Sequence, residues 1–203
     1  MKFYHLHPSP DLSTRETNIA TWTGGFTEQE ISKIISIGEE LVPERAVTTS
    51  PHGFDVNPKV RESKVSWIEH SSSTNFIYEK LGYICRTLNG QFFDFDVTGI
   101  AYPLQYTTYR ASGDVSGHYD WHMDKGDLSS SPRKLSLTLQ LSNPSEYEGG
   151  ELQFFVNALN VETASKEKGM IYLFPSYILH RVTPVTAGIR RSLVVWFSGP
   201  KFR

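Results

Sequence analysis

Residues 109–124 read Tyr109-Arg-Ala-Ser-Gly-Asp-Val-Ser-Gly-His118-Tyr119-Asp120-Trp121-His122-Met-Asp124. The end of this stretch carries four side chains able to bind a metal, His118, Asp120, His122 and Asp124, all of one parity. In an extended segment successive side chains alternate faces, so a His-x-Asp pair turns an imidazole and a carboxylate the same way without help from the rest of the fold. One imidazole and one carboxylate are two members of a facial triad, which leaves open positions on a redox-active iron. The third ligand must come from elsewhere, and His180 is the natural candidate. Parity alone does not choose between His118/Asp120 and His122/Asp124. Without further context the same side chains read as solvated groups of a turn or hydrogen-bonding partners on a strand.

The 203 residues fit one domain, since all-β barrels commonly reach this length undivided. With Lys+Arg 20 against Asp+Glu 22, the formal charge of -2 provides no basic field for nucleic acid or an anionic membrane surface. Twelve Phe, ten Tyr and four Trp supply a β-rich core. No apolar run approaches the roughly 18 residues of a membrane span, so a soluble protein is expected. The first residues lack the apolar segment and small-residue cleavage site of a signal peptide. Cys85 is the only cysteine and has no internal disulfide partner, which fits a reducing cytoplasm.

Along the chain, residues 1–25 read as a short strand and loops. Thr27 followed by Glu30 forms a capping box ahead of Ile31, Ile34, Ile35 and Leu41, one apolar helical face that Pro43 ends. Residues 43–58 are rich in Pro, Ser, Thr and Gly and read as a loop, or a lid. Arg61 to Trp67 is extended, and Asn75 to Leu88 forms a second buried helix stopped by Asn89-Gly90. Phe92 to Tyr109 reads as one long strand interrupted at Pro103. Short strands then follow over 135–141, 151–155, 169–174, 180–185 and 189–197. The expectation is a mainly β fold with flanking helices, the sheets forming a barrel or sandwich.

Two further segments complete a pattern: Arg133-Lys-Leu-Ser136 through Glu148-Gly-Gly-Glu-Leu152, and Phe174-Pro-Ser176 through His180-Arg-Val-Thr-Pro-Val185 to Gly188-Ile-Arg190. In this order, after a tyrosine and a His-x-Asp pair, they resemble the iron(II)- and 2-oxoglutarate-dependent oxygenases of the prolyl 4-hydroxylase type, especially their small bacterial and phage branch. The likeness covers about 97–200. It implies a double-stranded β-helix (jelly-roll) core over 97–200, with 1–96 as a helical and strand support region of the same single domain.

By this resemblance His122, Asp124 and His180 bind iron(II). The family places an aromatic residue or glycine before the histidine and a polar loop after the aspartate, as Trp121 and Lys125-Gly126-Asp127 do here. His118 and Asp120 then become exposed polar residues or part of the substrate mouth. Arg190, ten residues after His180, is implied as the anchor for the distal carboxylate of 2-oxoglutarate, helped by Ser192 and Tyr109. An arginine offers a carboxylate two parallel donors. Arg191 on the opposite face cannot share that role. Trp121, Tyr119 and Trp67 are assigned to the substrate mouth, where aromatic rings suit stacking on a proline ring.

The implied chemistry couples decarboxylation of 2-oxoglutarate, with O2, to hydroxylation of a C–H bond, and ascorbate restores oxidised iron. The expected substrate is a prolyl residue of a peptide or protein, with a small molecule second. Rival readings are an oxygenase of the same class acting on a nucleobase and a non-catalytic cupin-like metal-binding module.

Overall fold

A computed structural model describes residues 17–50, 53–126, 130–157 and 160–202. The opening segment 1–16, and Asp127 of the expected polar loop, lie outside the described residues. The elements run β1 (Ala20–Trp22), α1 (Glu28–Glu40), β2 (Glu44–Arg45), β3 (Thr48–Ser50), β4 (Gly53–Asp55), β5 (Arg61–Glu62), β6 (Lys64–Ile68) and α2 (Asn75–Phe92). There follow β7 (Gly99–Ile100), β8 (Leu104–Ser112), β9 (Val115–Ser116), β10 (His118–His122), β11 (Arg133–Gln140), β12 (Tyr147–Gly149), β13 (Leu152–Asn157) and β14 (Asn160–Thr163). The chain closes with β15 (Ile171–Pro175), β16 (His180–Val182) and β17 (Val185–Ser198).

Two antiparallel sheets carry the architecture, as the mainly β expectation required. The larger has the order β1-β15-β11-β17-β8-β6-β2, and the smaller β14-β13-β16-β10-β5. The long strand β17 joins the larger sheet together, pairing β11 on one side and β8 on the other. The region before residue 97 contributes to both sheets: β1, β2 and β6 extend the larger, and β5 adds an edge to the smaller.

The larger sheet has two unlike faces. Leu135, Leu137, Leu139, Leu193 and Val195 share one core with Ile31 and Ile34 of α1 and Ile77, Leu81 and Ile84 of α2. A second core, including Tyr109, Leu152, Phe154, Phe174 and Val182, fills the space between the sheets. Helix α1 starts as predicted: the Thr27 hydroxyl accepts from the Glu30 amide at 3.2 Å, and the Glu30 carboxylate accepts from the Thr27 amide at 2.8 Å. It approaches the sheet closely at Gly38, where an added Cβ would stand 2.4 Å from the Tyr106 ring.

Three expectations need correction. Residues 43–58 are not one loop: β2 pairs β6, and β3 and β4 form a hairpin. Helix α2 runs past Asn89-Gly90 to Phe92. Asn89 nonetheless acts at its end, its amide group bonding the Phe95 carbonyl at 2.9 Å and the Phe95 N–H at 3.0 Å. The long strand predicted over 92–109 is interrupted as well. Its aromatic start belongs to α2 and the chain beyond it, with Phe95 edge-on to Phe202, and only β7 and β8 are extended. Aromatic content there serves packing rather than strand formation.

Candidate metal centre

The site is built where β10 crosses β16. These strands are antiparallel neighbours, and His122 stands directly opposite His180. Asp124 follows two residues later, just past the strand end. The ligand atoms of His122, Asp124 and His180 lie within 4.8 Å of one another, the one such group among the described residues. His122 Nε2 is 3.8 Å from Asp124 Oδ1, and His180 Nε2 is 3.6 Å from Asp124 Oδ2. Both separations are too long for hydrogen bonds and leave room for an ion between the three groups.

The backbone fixes which imidazole nitrogens face this gap. His122 Nδ1 lies 2.8 Å from the Asp120 carbonyl, and His180 Nδ1 lies 2.9 Å from the Ile178 carbonyl. A carbonyl only accepts, so each Nδ1 carries a proton, and in the neutral ring this leaves the Nε2 lone pair for the gap. Metal-bound histidines use this same second hydrogen bond to hold ring and tautomer. Burial, the neighbouring His180 ring and Arg61 push the His122 imidazole well below its ordinary pKa, outweighing Asp124. Burial would raise the Asp124 carboxyl, but both imidazoles, Ser136 and Arg133 together hold it below its usual range. His122 and Asp124 are thus both biased toward the deprotonated form that metal binding requires. Asp124 Oδ2 is buried without a hydrogen-bond partner, a cost that a bound cation would remove. Two imidazoles and one carboxylate suit iron(II), whereas structural zinc takes a fourth protein ligand.

The competing pair His118/Asp120 is not in the cluster. His118 Nδ1 bonds the Ser116 carbonyl at 2.8 Å, and Asp120 Oδ1 accepts from the Trp121 amide at 2.8 Å. Parity misled here because β10 contains a bulge. Tyr119 pairs Val182 and His122 pairs His180, so three steps on β10 match two on β16. The extra residue brings Tyr119 and His122 to the same face.

Around the cluster is a cavity of about 610 Å³ lined by Tyr109, Arg190, Ser192, Tyr119 and Trp67, all expected from sequence. Trp121 is the exception. It lies on the other face, under the Arg181 guanidinium at 4.6 Å and edge-on to Phe155. Tyr119 does line the cavity, but its ring is stacked at 3.4 Å on that of His122. Burial pushes its phenol up to about 12. Trp67 sits 6.4 Å from Trp196 with its indole N–H donated to Glu44.

Arg190 is 1 % exposed. Its guanidinium donates to Gln140 Oε1 at 3.0 Å and, weakly, to the Ser192 hydroxyl at 3.4 Å, while Nε has no partner. No carboxylate among the described residues pairs with it. Tyr109 is its cross-strand neighbour, the guanidinium lying 5.3 Å from that ring. An isolated buried charge is costly, so this group is poised for an anion from outside. Arg191 points the other way and is bridged by Glu39 at 2.8 Å and Glu146 at 3.4 Å.

Sequence reading missed Gln140, Arg61 and Arg133. For Gln140 a signal existed: Ser136, Thr138 and Gln140 alternate with Leu135, Leu137 and Leu139, yet all six are buried. A strand covered on both faces with one polar side marks a polar cavity.

Residues 104–198 match the family model of the 2OG-Fe(II) oxygenase superfamily. A PKHD-type hydroxylase of Teredinibacter turnerae is 38% identical over 96 residues, covering 47% of this chain and 42% of that protein. The chain spans less than half the length of the curated relatives it matches. Among solved structures, a Pseudomonas putida prolyl-4-hydroxylase superposes with TM-score 0.68 at 16% identity, covering 91% of this chain and 94% of that one. A Trichoplax adhaerens prolyl hydroxylase, solved with a hypoxia inducible factor peptide fragment, gives TM-score 0.72 at 17% identity, covering 90% and 84%. The two antiparallel sheets thus form the double-stranded β-helix of these oxygenases.

Proposed function

We propose that this chain is a hydroxylase that uses iron(II), O2 and 2-oxoglutarate to hydroxylate a prolyl residue of a peptide or protein. The observation that carries this reading is Arg190, a buried guanidinium without a carboxylate partner among the described residues, opening onto the same cavity as the His122, Asp124 and His180 cluster. A metal-binding module that performs no oxidation has no use for such an anchor. A dicarboxylate co-substrate does, because a planar guanidinium matches a carboxylate with two donors.

The three ligands would hold iron(II), which supplies the oxidising chemistry: one oxygen atom of O2 enters the substrate C–H bond, and the other enters succinate as 2-oxoglutarate loses CO2. The protein's share is binding and orientation. Arg190, held by Gln140 and Ser192, neutralises the distal carboxylate, and Tyr109 closes that end of the cavity. Tyr119 backs the His122 ring, and the Asp120 and Ile178 carbonyls keep both imidazoles in the ligating tautomer. Ascorbate would reactivate enzyme oxidised in unproductive cycles. The peptide reading is supported by a cavity lined by Trp67 and Trp196, and by the peptide carried by the Trichoplax neighbour.

The test is an anaerobic titration with iron(II) and 2-oxoglutarate, followed by O2 and a panel of proline-containing peptides beside free proline. A visible charge-transfer band, succinate formation and a mass gain of one oxygen atom on a peptide are expected. Succinate stimulated only by free amino acids or nucleosides would sink the prolyl reading and leave the oxygenase reading standing.

A further inference from the structure

The proposed function gives Arg190 its anion, but two other arginines in the same cavity are left over. Arg61 is 8 % exposed, and among the described residues it forms no ion pair; its Nε donates to the Ser63 hydroxyl at 2.9 Å. Arg133 likewise has no ion pair among the described residues. Its Nη1 donates to the Asp124 carbonyl at 3.2 Å, and its Nε is buried without a partner. Both line the cavity.

Each guanidinium sits against aromatic rings. Arg61 lies 4.5 Å from the Tyr119 ring centre, and Arg133 lies 3.7 Å from Trp196 and 4.9 Å from Tyr102. A guanidinium resting against a ring keeps its charge and its remaining N–H groups for a two-donor contact with a carboxylate. The remaining charges of the site are accounted for. Arg45 pairs with Glu62 at 3.1 Å, and Glu44 is exposed and bonded to Trp67. On the reading above, iron(II), Asp124, Arg190 and the 2-oxoglutarate dianion sum to zero. Arg61 and Arg133 therefore remain as fixed positive charge beside the centre, one flanking His122 through Tyr119 and the other flanking Asp124.

We infer that the peptide substrate carries a carboxylate close to the hydroxylated residue, and that Arg61 and Arg133 bind it. This rests on the proposed oxygenase activity and adds the substrate's charge. The carboxylate has two sources, an Asp or Glu side chain or a chain terminus. A nucleic-acid phosphate would satisfy guanidinium groups as well, but the formal charge of -2 offers no basic surface to bring such a polymer to the cavity.

The experiment compares four matched proline peptides: one with Asp beside the proline, its Asn counterpart, and a neutral peptide ending in either a free carboxylate or an amide. Fluorescence anisotropy of labelled peptides on the metal- and 2-oxoglutarate-loaded protein reads binding, and succinate formation reads turnover. The expected result is that a carboxylate-bearing peptide exceeds its neutral counterpart by about tenfold in both affinity and kcat/KM. That preference should shrink with salt, collapse in Arg61→Gln and Arg133→Gln, and partly return in Arg61→Lys. Preference for Asp over Asn assigns the side chain, and preference for acid over amide the terminus. Equal behaviour of all four peptides in a protein that still turns over 2-oxoglutarate would overturn the inference. Stimulation by a single-stranded oligonucleotide and by no peptide would overturn it too. Absence of any 2-oxoglutarate turnover would instead strike the underlying activity.

Discussion

The two faces of the larger sheet use the same three strands for opposite purposes. Toward the helices, β11 and β17 present Leu135, Leu137, Leu139, Leu193 and Val195, a dry layer closed by α1 and α2. Toward the smaller sheet they present Ser136, Thr138, Gln140, Arg190 and Ser192, and β8 adds Gln105 and Tyr109, all of them buried. Arg190 and Arg191 state the contrast in adjacent residues. The first is enclosed without a carboxylate among the described residues, and the second lies outside with two. Apolar burial on one face provides the stability that lets the other keep polar groups in a low-dielectric space.

That contrast predicts that function and stability separate by face. The largest effect belongs to the cluster: alanine at His122, Asp124 or His180 should abolish iron retention and succinate formation, while His118→Ala keeps both. Metal analysis of the purified variants checks this, and loss of iron in His118→Ala alone would break the assignment. Next, Arg190→Ala removes a buried charge-assisted contact worth on the order of 2–5 kcal/mol, read as weakened 2-oxoglutarate affinity in a titration. On the opposite face, Leu137→Ala should lower stability by about 2–5 kcal/mol in denaturant unfolding and leave co-substrate affinity intact. If it weakened 2-oxoglutarate binding instead, the two faces would not be independent.

A smaller effect follows from His122. Its imidazole pKa is depressed on folding, so between that value and the ordinary one near 6.5 the unfolded chain binds more protons and stability rises with pH. The metal-free protein should therefore be less stable at pH 5.5 than at pH 7.5, by on the order of 1 kcal/mol. Asp124, depressed as well, adds to the loss only when pH falls toward its ordinary carboxyl range. Urea unfolding at the two pH values, compared with His122→Ala, tests the assignment, since the variant should lose the upper part of the dependence. The smallest effect is Arg191→Ala, which breaks two surface ion pairs and should cost under about 1 kcal/mol with unchanged 2-oxoglutarate affinity.

How much of this was visible in the sequence depended on how local the cause was. The Thr27–Glu30 box is contained in four residues and appears as expected. The grouping of His122, Asp124 and His180, and the place of Arg190 on the same cavity, were legible because they follow side-chain type and order. Trp121 was misplaced because its direction depends on a bulge that only the pairing with β16 creates. Arg61 and Arg133 were overlooked because their interest lies in lacking partners, which no linear pattern displays. The 92–109 strand failed because Phe92, Phe93 and Phe95 serve a cluster with Phe202 from the far end of the chain.

The extra residue in β10 also makes the site sensitive to chain length in a way that point substitutions do not reveal. Without it, Trp121 would stand opposite His180, and His122 would turn outward. The irregularity takes one peptide unit out of the ladder, and there the Asp120 carbonyl receives the His122 ring proton. A one-residue insertion or deletion between Tyr119 and His122 should thus cost the iron even with every ligand still encoded. A side-chain change at exposed Asp120 should be accommodated, since the position is needed for its backbone.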